Sequence, residues 1–454
     1  MRLYNSLNRQ LETVTANADK TVTLYTCGPT VYDHVHIGNL RTFIMEDLLR
    51  RTLQATGYKV QMVTNLTDVD DKTIARSQTE HPDLGPMEAL IETTRHYEAV
   101  FKADLAALGV DLGSRTFVRA TDAIPQMQAL IQRIYDNGFA YVADGSVYFD
   151  LRQYREAGNE YGRLVNVDYS AQARIDNDEY DKAEAQDFAL WKGAKDGEPF
   201  WEFTLGEHDL PGRPGWHIEC SAMALDNLGE QPIGIHSGGI DLKFPHHENE
   251  IAQVVAATGQ DFARIFTHHN HLLVDGRKMS KSLNNFYTLD DIRAKGYDPL
   301  ALRLLYLQAL HTNEVNFTWE SLGAAQNTLA NLRAWADLVY QPEVAGESAT
   351  PKLEAELQAS LADDLHSPEA LARLAAETGA PTTELLVQLD QLLGLDLSGR
   401  PDLTPAEQQL VANRQAARTA KDWARADQLR TELAAAGLEV DDAPAGPRWR
   451  RTTS

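Results

Sequence analysis

No run of apolar residues in this 454-residue sequence approaches the roughly 20 needed to cross a bilayer, so no membrane-spanning helix is expected. The opening stretch, Met1 to Leu11, is polar and lacks the apolar centre of a signal peptide. With no address in view, the expected compartment is the cytosol. Cysteine is nearly absent: there are only Cys27 and Cys220. In a reducing compartment a structural disulfide is disfavoured. Both cysteines sit beside glycines or histidines, which points to metal ligation or chemistry over packing. An excess of positive charge is also missing, with 42 Lys and Arg against 66 Asp and Glu and a formal charge of −24. That balance favours solubility and argues against a protein that coats a polyanion. A local basic patch can still supply phosphate contacts on an acidic protein. There is no internal repeat and no low-complexity tract, which sets solenoids aside. Apolar residues make up 43% of the chain, so disorder is not the default. The length calls for about two to four cores instead of one.

Thr21 to Thr26 alternates and is rich in β-formers, which predicts a strand. The turn Cys27-Gly28-Pro29 follows. From Asn39 a helical pattern runs through Leu40, Phe43, Ile44, Leu48 and Leu53 and stops at Gly57. Tyr58, Val60 and Met62 then alternate as a second strand. Together these make a β-α-β unit whose helix begins just after His36-Ile37-Gly38. A less regular middle follows, rich in Asp, Glu, Gly and Pro and including Asp176-Asn177-Asp178-Glu179; it reads as an insertion between two α/β halves. The second half resumes near Gln231 to His236. Its helix runs from about Pro245, a residue suited to the first turn, to Thr258 before Gly259. Later segments keep helical spacing, as in Leu300, Leu304, Leu307 and Leu310, and again in Leu322, Leu329, Leu332 and Trp335. Pro342 to Pro351 reads as a loop, and Ser367-Pro368 as an N-cap followed by an N1 proline. Ser398-Gly399-Arg400-Pro401 is a second break. Two basic amphipathic helices and the tail Pro447 to Arg451 lie beyond it. The last 44 residues hold eight Lys and Arg against six Asp and Glu, leaving +2. The expected fold class is α/β. A Rossmann-type parallel-sheet domain would comprise residues 1–114 and 231–287 with an insertion at 115–230. An all-α helical bundle at 288–397 and a small module at 398–454 would follow it.

Three constellations carry chemistry. His36-Ile37-Gly38-Asn39 stands at a helix N-terminus, where free N–H groups and positive partial charge attract phosphate. Gly38 lets a ligand approach the backbone, and His36 and Asn39 can donate to phosphate oxygens. Lys278-Met279-Ser280-Lys281-Ser282 follows an apolar stretch and the turn Asp275-Gly276. Such a loop can bring mobile positive charge to a triphosphate. His246 and Glu250 are four apart on the expected helix and share a face. With Cys27 and Cys220 they would make a tetrahedral site within zinc's usual ligands. His247 and Glu248 compete for the same role, and spacing does not decide between them.

The two signatures, in this order, resemble those of a class I aminoacyl-tRNA synthetase. The segments Tyr25-Thr26-Cys27-Gly28-Pro29-Thr30-Val31-Tyr32-Asp33 and Asn65-Leu66-Thr67-Asp68-Val69-Asp70-Asp71-Lys72 resemble the cysteinyl-tRNA synthetase family in particular. So do Gly212-Arg213-Pro214-Gly215-Trp216-His217-Ile218-Glu219-Cys220-Ser221, Phe244-Pro245-His246-His247-Glu248-Asn249-Glu250 and Lys421-Asp422-Trp423-Ala424-Arg425-Ala426-Asp427. The resemblance covers essentially the whole chain.

It implies a ligase that activates L-cysteine with Mg-ATP and passes it to tRNA(Cys). One zinc would be held by Cys27, Cys220, His246 and Glu250, and not by His247 or Glu248. A zinc–thiolate contact would select cysteine over serine, so no editing domain is required. His36, Gly38 and Asn39 would meet the ATP phosphates, and Lys278 and Lys281 the departing pyrophosphate. Asp241 would accept from a ribose hydroxyl, and Gly28, Thr67 and Trp216 would line the cysteine pocket. The C-terminal module would bind the anticodon, its arginines on phosphates and Trp449 stacked on a base. A cytoplasmic monomer is the family expectation. Asn39 stands where the class pattern has a second histidine; it cannot carry a proton charge, so no acid role is expected of it. Ser237 replaces a glycine, Ala183 to Gln186 lacks a proline, and Asp364-Leu365-His366-Ser367 replaces a more usual Asp-Phe-Asn-Thr. These departures are expected to lie away from the metal and to alter packing or loop shape only. The nearest rival is the cysteine ligase of mycothiol synthesis, which joins activated cysteine to an amino sugar; the C-terminal basic module argues against it. A catalytically silent synthetase-like RNA-binding protein is a second rival, opposed by the complete ligand set and both signatures.

Overall fold

The computed structural model describes residues 1–167, 174–175, 187–229, 232–279, 285–341, 343 and 348–452. Ser280, Lys281, Ser282, Asp176 to Glu179, Ala183 to Gln186 and Gln231 lie outside the described residues, as do Pro342 and residues 344–347 of the expected loop. The chain forms two compact units. The first comprises Met1–Leu273, Arg277–Leu289 and His311–Val315, and the second Val274–Gly276, Asp290–Leu310 and Asn316–Ser454.

The first unit is built on a five-stranded sheet. Its strands, in chain order, are β1 (Thr21–Thr26), β2 (Lys59–Leu66), β3 (Thr116–Arg119), β4 (Ile233–Gly239) and β5 (Ala263–His269), in the spatial order 5-4-1-2-3. Every pairing is parallel. A parallel sheet is covered on both faces and needs apolar residues on both. β1 supplies them, with Leu24 and Tyr25 fully buried. Thr116–Arg119 falls inside the stretch read as insertion yet completes this sheet.

Helix α1 (Ile37–Ala55) connects β1 to β2. It opens two residues earlier than the periodicity predicts, because His36 serves as its N-cap. Leu40, Ile44 and Leu48 are fully buried beneath it, each burial contributing about 1.5–3 kcal/mol. Gly57 takes φ +89° after the helix, a backbone state that suits glycine. Two further helices carry site residues: α2 (Trp216–Leu228) and α3 (His246–Thr258). α3 ends at Gly259 in the left-handed conformation, as the sequence predicts. Between β3 and α2, Gly212–Pro214, Asp187–Gly193, Ser146–Phe149 and Ala140–Ala143 pair in that order as an antiparallel sheet.

The second unit is helical, with α4 (Pro299–Leu307), α5 (Trp319–Ala336), α6 (Leu353–Leu361), α7 (Ser367–Ala376) and α8 (Thr383–Leu393). Two expectations are corrected here. The N-cap of α7 is His366, not Ser367, so Pro368 takes the second helical position. Asp364 and Leu365 before it have positive φ, which turns the chain sharply and moves the cap back by one residue. After α8 come α9 (Pro405–Thr419), α10 (Trp423–Ala435) and the hairpin Leu438–Ala443 with Gly446–Arg451. Trp449 is the second correction. It is 5% exposed and packs with Leu403, Val411, Leu433, Leu438 and Val440. Its backbone N–H and carbonyl are both held by the Gln341 side chain, at 2.8 and 2.9 Å. An indole enclosed in this way holds the module together and offers no face to a base. Trp423, 56% exposed with the Arg418 guanidinium 5.7 Å from its ring centre, is the available aromatic. Five of the eight basic residues in the last 44 are also paired internally, Arg414 and Arg418 with Asp442, Arg425 with Glu432, Arg450 with Glu439 and Arg451 with Glu407.

Candidate active site and metal centre

A cavity of ≈ 500 Å³ is lined by residues that follow β1 and β4, and the strand order reverses between those two strands. An open α/β sheet offers a ligand its crevice at such a point. Cys27, Gly28, His36, Gly38, Asn39, Trp216, Asp241 and Lys278 all line it. Residues placed together by sequence reasoning therefore meet in one wall, although they come from five segments of the chain.

His36 accepts the backbone N–H of Asn39 on Nδ1 at 3.2 Å, committing one ring nitrogen to the helix it opens. The Ile37 N–H donates to the Tyr287 carbonyl at 2.9 Å, so Gly38 presents the first-turn N–H at the positive end of the helix. A Cβ on Gly38 would come within 2.9 Å of the His36 ring, so the position takes no side chain unless the histidine moves. The Asn39 side chain is exposed. Lys278 is exposed as well, and its carbonyl accepts from Asn285 Nδ2 at 3.2 Å. Asp241 lies in the short 3-10 turn Ile240–Lys243 directly after β4.

Cys27 lies directly after β1, Cys220 on α2, and His246 and Glu250 one turn apart on α3. Their ligand atoms all fall within 4.8 Å of one another, and all four residues are buried. The sulfur atoms are 3.9 Å apart, and His246 Nε2 is 2.8 Å from Glu250 Oε1. A second set, Cys27 with His236, His247 and Glu250, meets the same distance criterion. Glu248, the other sequence candidate, accepts three backbone N–H groups from Gly162, Arg163 and Leu164 and is a structural residue.

The electrostatics suit a cation. Burial pushes the Cys27 thiol well up, with Cys220 adding to the effect. Burial raises Cys220 too, but the hydrogen bond from Cys27 and the charge of His246 bring it down to about 6. His246 is lowered by burial yet raised to about 10 by Glu250 and Cys220. Burial opposes ionisation of Glu250, while His246, His236 and His247 hold it well below the carboxylate range. Protons shared among such donors are released when a metal binds.

Several contributors escape sequence reasoning. His217 meets His246 Nδ1 at 2.9 Å through its own Nδ1, and His236 Nε2 meets Glu250 Oε2 at 2.6 Å. The spacing of His217, three before Cys220 on one helix, was the available signal. Thr67 stands behind the wall: its hydroxyl donates to Glu219 at 2.8 Å and accepts from Asn65 at 3.2 Å. Asn65 in turn accepts the Gly28 N–H at 2.7 Å, so Thr67 steadies the Cys27 turn. Trp216 packs against His246, with ring centres 4.3 Å apart and planes tilted by 32°. Ser237 requires a correction, because it does not lie away from the metal-capable cluster. Its carbonyl accepts the Cys27 N–H at 3.1 Å, and its hydroxyl meets His269 Nε2 at 3.0 Å. Adjacent parallel strands bring it there.

The chain is similar to known proteins along its length. A family profile described as the tRNA synthetases class I (C) catalytic domain matches residues 13–327. Another, the cysteinyl-tRNA ligase anticodon binding domain, matches residues 400–450. A cysteine–tRNA ligase of Solibacter usitatus is 42% identical, the alignment covering 99% of each chain. One from Chlamydia muridarum is 40% identical over the same shares. Among solved structures, a Mycobacterium tuberculosis methionyl-tRNA synthetase in complex with methionyl-adenylate is similar in fold at TM-score 0.55 and 17% identity, covering 78% of this chain and 82% of its own. The metal-capable cluster, both signatures and these full-length similarities lead to one conclusion: the chain belongs to the cysteinyl-tRNA synthetase family of class I aminoacyl-tRNA synthetases.

Proposed function

We propose that the chain activates L-cysteine with Mg-ATP to give cysteinyl-adenylate and pyrophosphate, then transfers the cysteinyl group to tRNA(Cys). The observation that carries this reading is Cys27, which belongs both to a buried four-ligand cluster and to the wall of the cavity shared with His36 and Lys278.

Of the two ligand sets, Cys27, Cys220, His246 and Glu250 would hold zinc. They supply two sulfurs, and the remaining histidines then become the hydrogen-bond partners that orient the ligands. Zinc, when bound, offers the substrate thiolate a soft contact that a serine hydroxyl does not match. Trp216, packed against His246, closes one side of the amino-acid end. His36, Gly38 and the first turn of α1 receive the phosphates. Lys278, with Lys281, meets the charge that builds on pyrophosphate as the cysteine carboxylate attacks the α-phosphate. Asp241 accepts from a ribose hydroxyl. The terminal ribose hydroxyl of tRNA then attacks the acyl carbon; neither step needs a protein nucleophile, and positioning supplies the rate. In the C-terminal module, exposed Trp423 with Arg418 is the surface offered to an unpaired anticodon base. The cytosol and a monomeric state belong to the same reading.

Cysteine-dependent ATP–pyrophosphate exchange followed by tRNA charging tests it. Both should proceed, and Cys220→Ala should lose zinc and most cysteine activation. Exchange with transfer to an amino sugar but not to tRNA would favour the mycothiol-type ligase. Absence of exchange in the wild type would overturn the reading altogether.

A further inference from the structure

We propose that Arg41 is a positioning residue that sets the spacing between two halves of the nucleotide site, the start of α1 with His36, Gly38 and Asn39 and the Asn270–His271 wall of the same cavity. It rests on the reading of the cavity as that site. Arg41 lies in the second turn of α1 and is fully buried. Its Nη1 donates to the carbonyl of Asn270 and, at 3.3 Å, to that of His271. Its Nη2 donates to the carbonyl of Asn313 at 2.8 Å. One side chain thus ties the helix carrying His36, Gly38 and Asn39 to the backbone that follows β5. Asn270 and His271 line the same cavity as the helix start, and Lys278 follows His271 by seven residues.

The tie extends further. Asn270 donates its N–H to the His311 carbonyl at 2.9 Å and its side-chain N–H to the Thr312 carbonyl at 3.0 Å. Val315 N–H returns to the His271 carbonyl at 3.1 Å. Asn270–His271 and 311–315 therefore form one bonded layer, and Arg41 holds that layer to α1 from behind. Arg41 does not itself line the cavity. Its influence on a ligand passes through the backbone it holds.

Arginine chemistry fits this task. A guanidinium presents five donors in a rigid plane and can serve carbonyls in different directions, whereas an ammonium is a compact point charge on a flexible stem. Burying a cation is costly unless hydrogen bonds offset it, and here Nη1 and Nη2 make those bonds to backbone carbonyls. Replacing Arg41 with an apolar side chain takes its donor from the Asn270 and Asn313 carbonyls, while the His271 carbonyl keeps its bond from Val315, and frees the layer to move. A triphosphate bridging the two halves would register that displacement. Cysteine, bound at the metal, would register much less.

The test uses Arg41→Met and Arg41→Lys in the full zinc-loaded chain. ATP binding is followed by calorimetry without cysteine, and the KM values for ATP and cysteine are taken from pyrophosphate exchange. Arg41→Met should weaken ATP binding and raise the ATP KM by about tenfold or more. Its cysteine KM and zinc stoichiometry should stay near wild type, and Arg41→Lys should recover part of the loss. Unchanged ATP affinity in a folded Arg41→Met would overturn the proposal. So would parallel loss of ATP, cysteine and zinc binding, or unfolding of both variants, since either makes Arg41 a general structural residue. If the wild type binds ATP but gives no cysteine-dependent exchange, the proposed function fails while the calorimetric comparison still decides the role of Arg41.

Discussion

His217 illustrates how much of a metal centre lies outside its ligands. It is buried and neutral, its pKa held well below the usual value by burial and by the neighbouring His246. Its contact with Nδ1 of His246 leaves Nε2 of that ring facing Glu250. We expect His217→Ala to weaken zinc binding by about 10–100-fold while leaving the four ligands in place. Competition with a chelator at fixed pH measures this, and an unchanged constant would show that His246 is oriented by packing alone. At this scale sequence reasoning is uneven. Spacing brings Cys27, Cys220, His246 and Glu250 forward but leaves His247 and Glu248 as rivals, and it is the family resemblance that chooses among them. The second set, Cys27 with His236, His247 and Glu250, is invisible in the sequence, because which face of a strand approaches which turn of a helix is settled by packing. Gly28 is a clearer case. A Cβ there would lie 1.6 Å from the Asn65 carbonyl oxygen, a close approach between the turn after β1 and the end of β2.

At the scale of elements, one carboxylate ties the sheet edge to the long helix Pro86–Ala107, beside the packing of Phe101 on Phe117. Glu98 accepts Nε and Nη2 of Arg119, at the end of β3, at 2.6 and 2.8 Å, and Lys102 Nζ at 2.7 Å. Burial raises its pKa, but hydrogen bonds from Arg119 and Lys102 lower it further, below the ordinary value. A depressed carboxylate stabilises the fold above its unfolded pKa of about 4.3, and that stabilisation is lost as pH falls through the folded value. Glu98→Gln should therefore be less stable than wild type at neutral pH, and the difference should vanish in acid. Denaturant titrations across that range check the sign. β1 and α1 are legible because their apolar positions repeat with clear periods over 6 and 19 residues. Thr116–Arg119, with four residues and no alternation, is not. It is a strand because β2 offers it an edge, and that information lies outside the segment. The cap of α7 slips by one residue for a similar reason, since positive φ at Asp364 and Leu365 sets where the helix can begin.

At the scale of the whole molecule, division of labour follows from the two family matches, residues 13–327 and 400–450. A chain ending after Leu397 should retain cysteine-dependent pyrophosphate exchange and lose most tRNA charging at limiting tRNA. Equal loss of both half-reactions would contradict that division. The truncation removes Arg400, whose guanidinium pairs with the buried Asp337 through two bonds at 2.6 and 2.7 Å, so Asp337→Asn belongs in the shortened chain to avoid an unpaired buried charge. The break near Ser398 is visible in composition. The tryptophan that holds the last module together is not, because an aromatic beside arginines reads equally well as a nucleic-acid contact until its burial is known.

The separation of the metal-capable residues along the chain has a consequence in time. Cys27 and Glu250 are 223 positions apart. During synthesis at roughly 5–20 residues per second, the first cysteine emerges roughly 10–45 s before the last carboxylate. Throughout that interval the first nucleotide signature and its helix exist without a complete amino-acid pocket. Closing so wide a span costs about 4–5 kcal/mol of chain entropy, which a metal ion recovers only once the last donor arrives. With the cluster holding zinc as proposed, selection of the substrate is among the last properties the nascent catalytic unit acquires, and a chain stalled before residue 250 would carry part of a nucleotide site with no means of choosing what to activate.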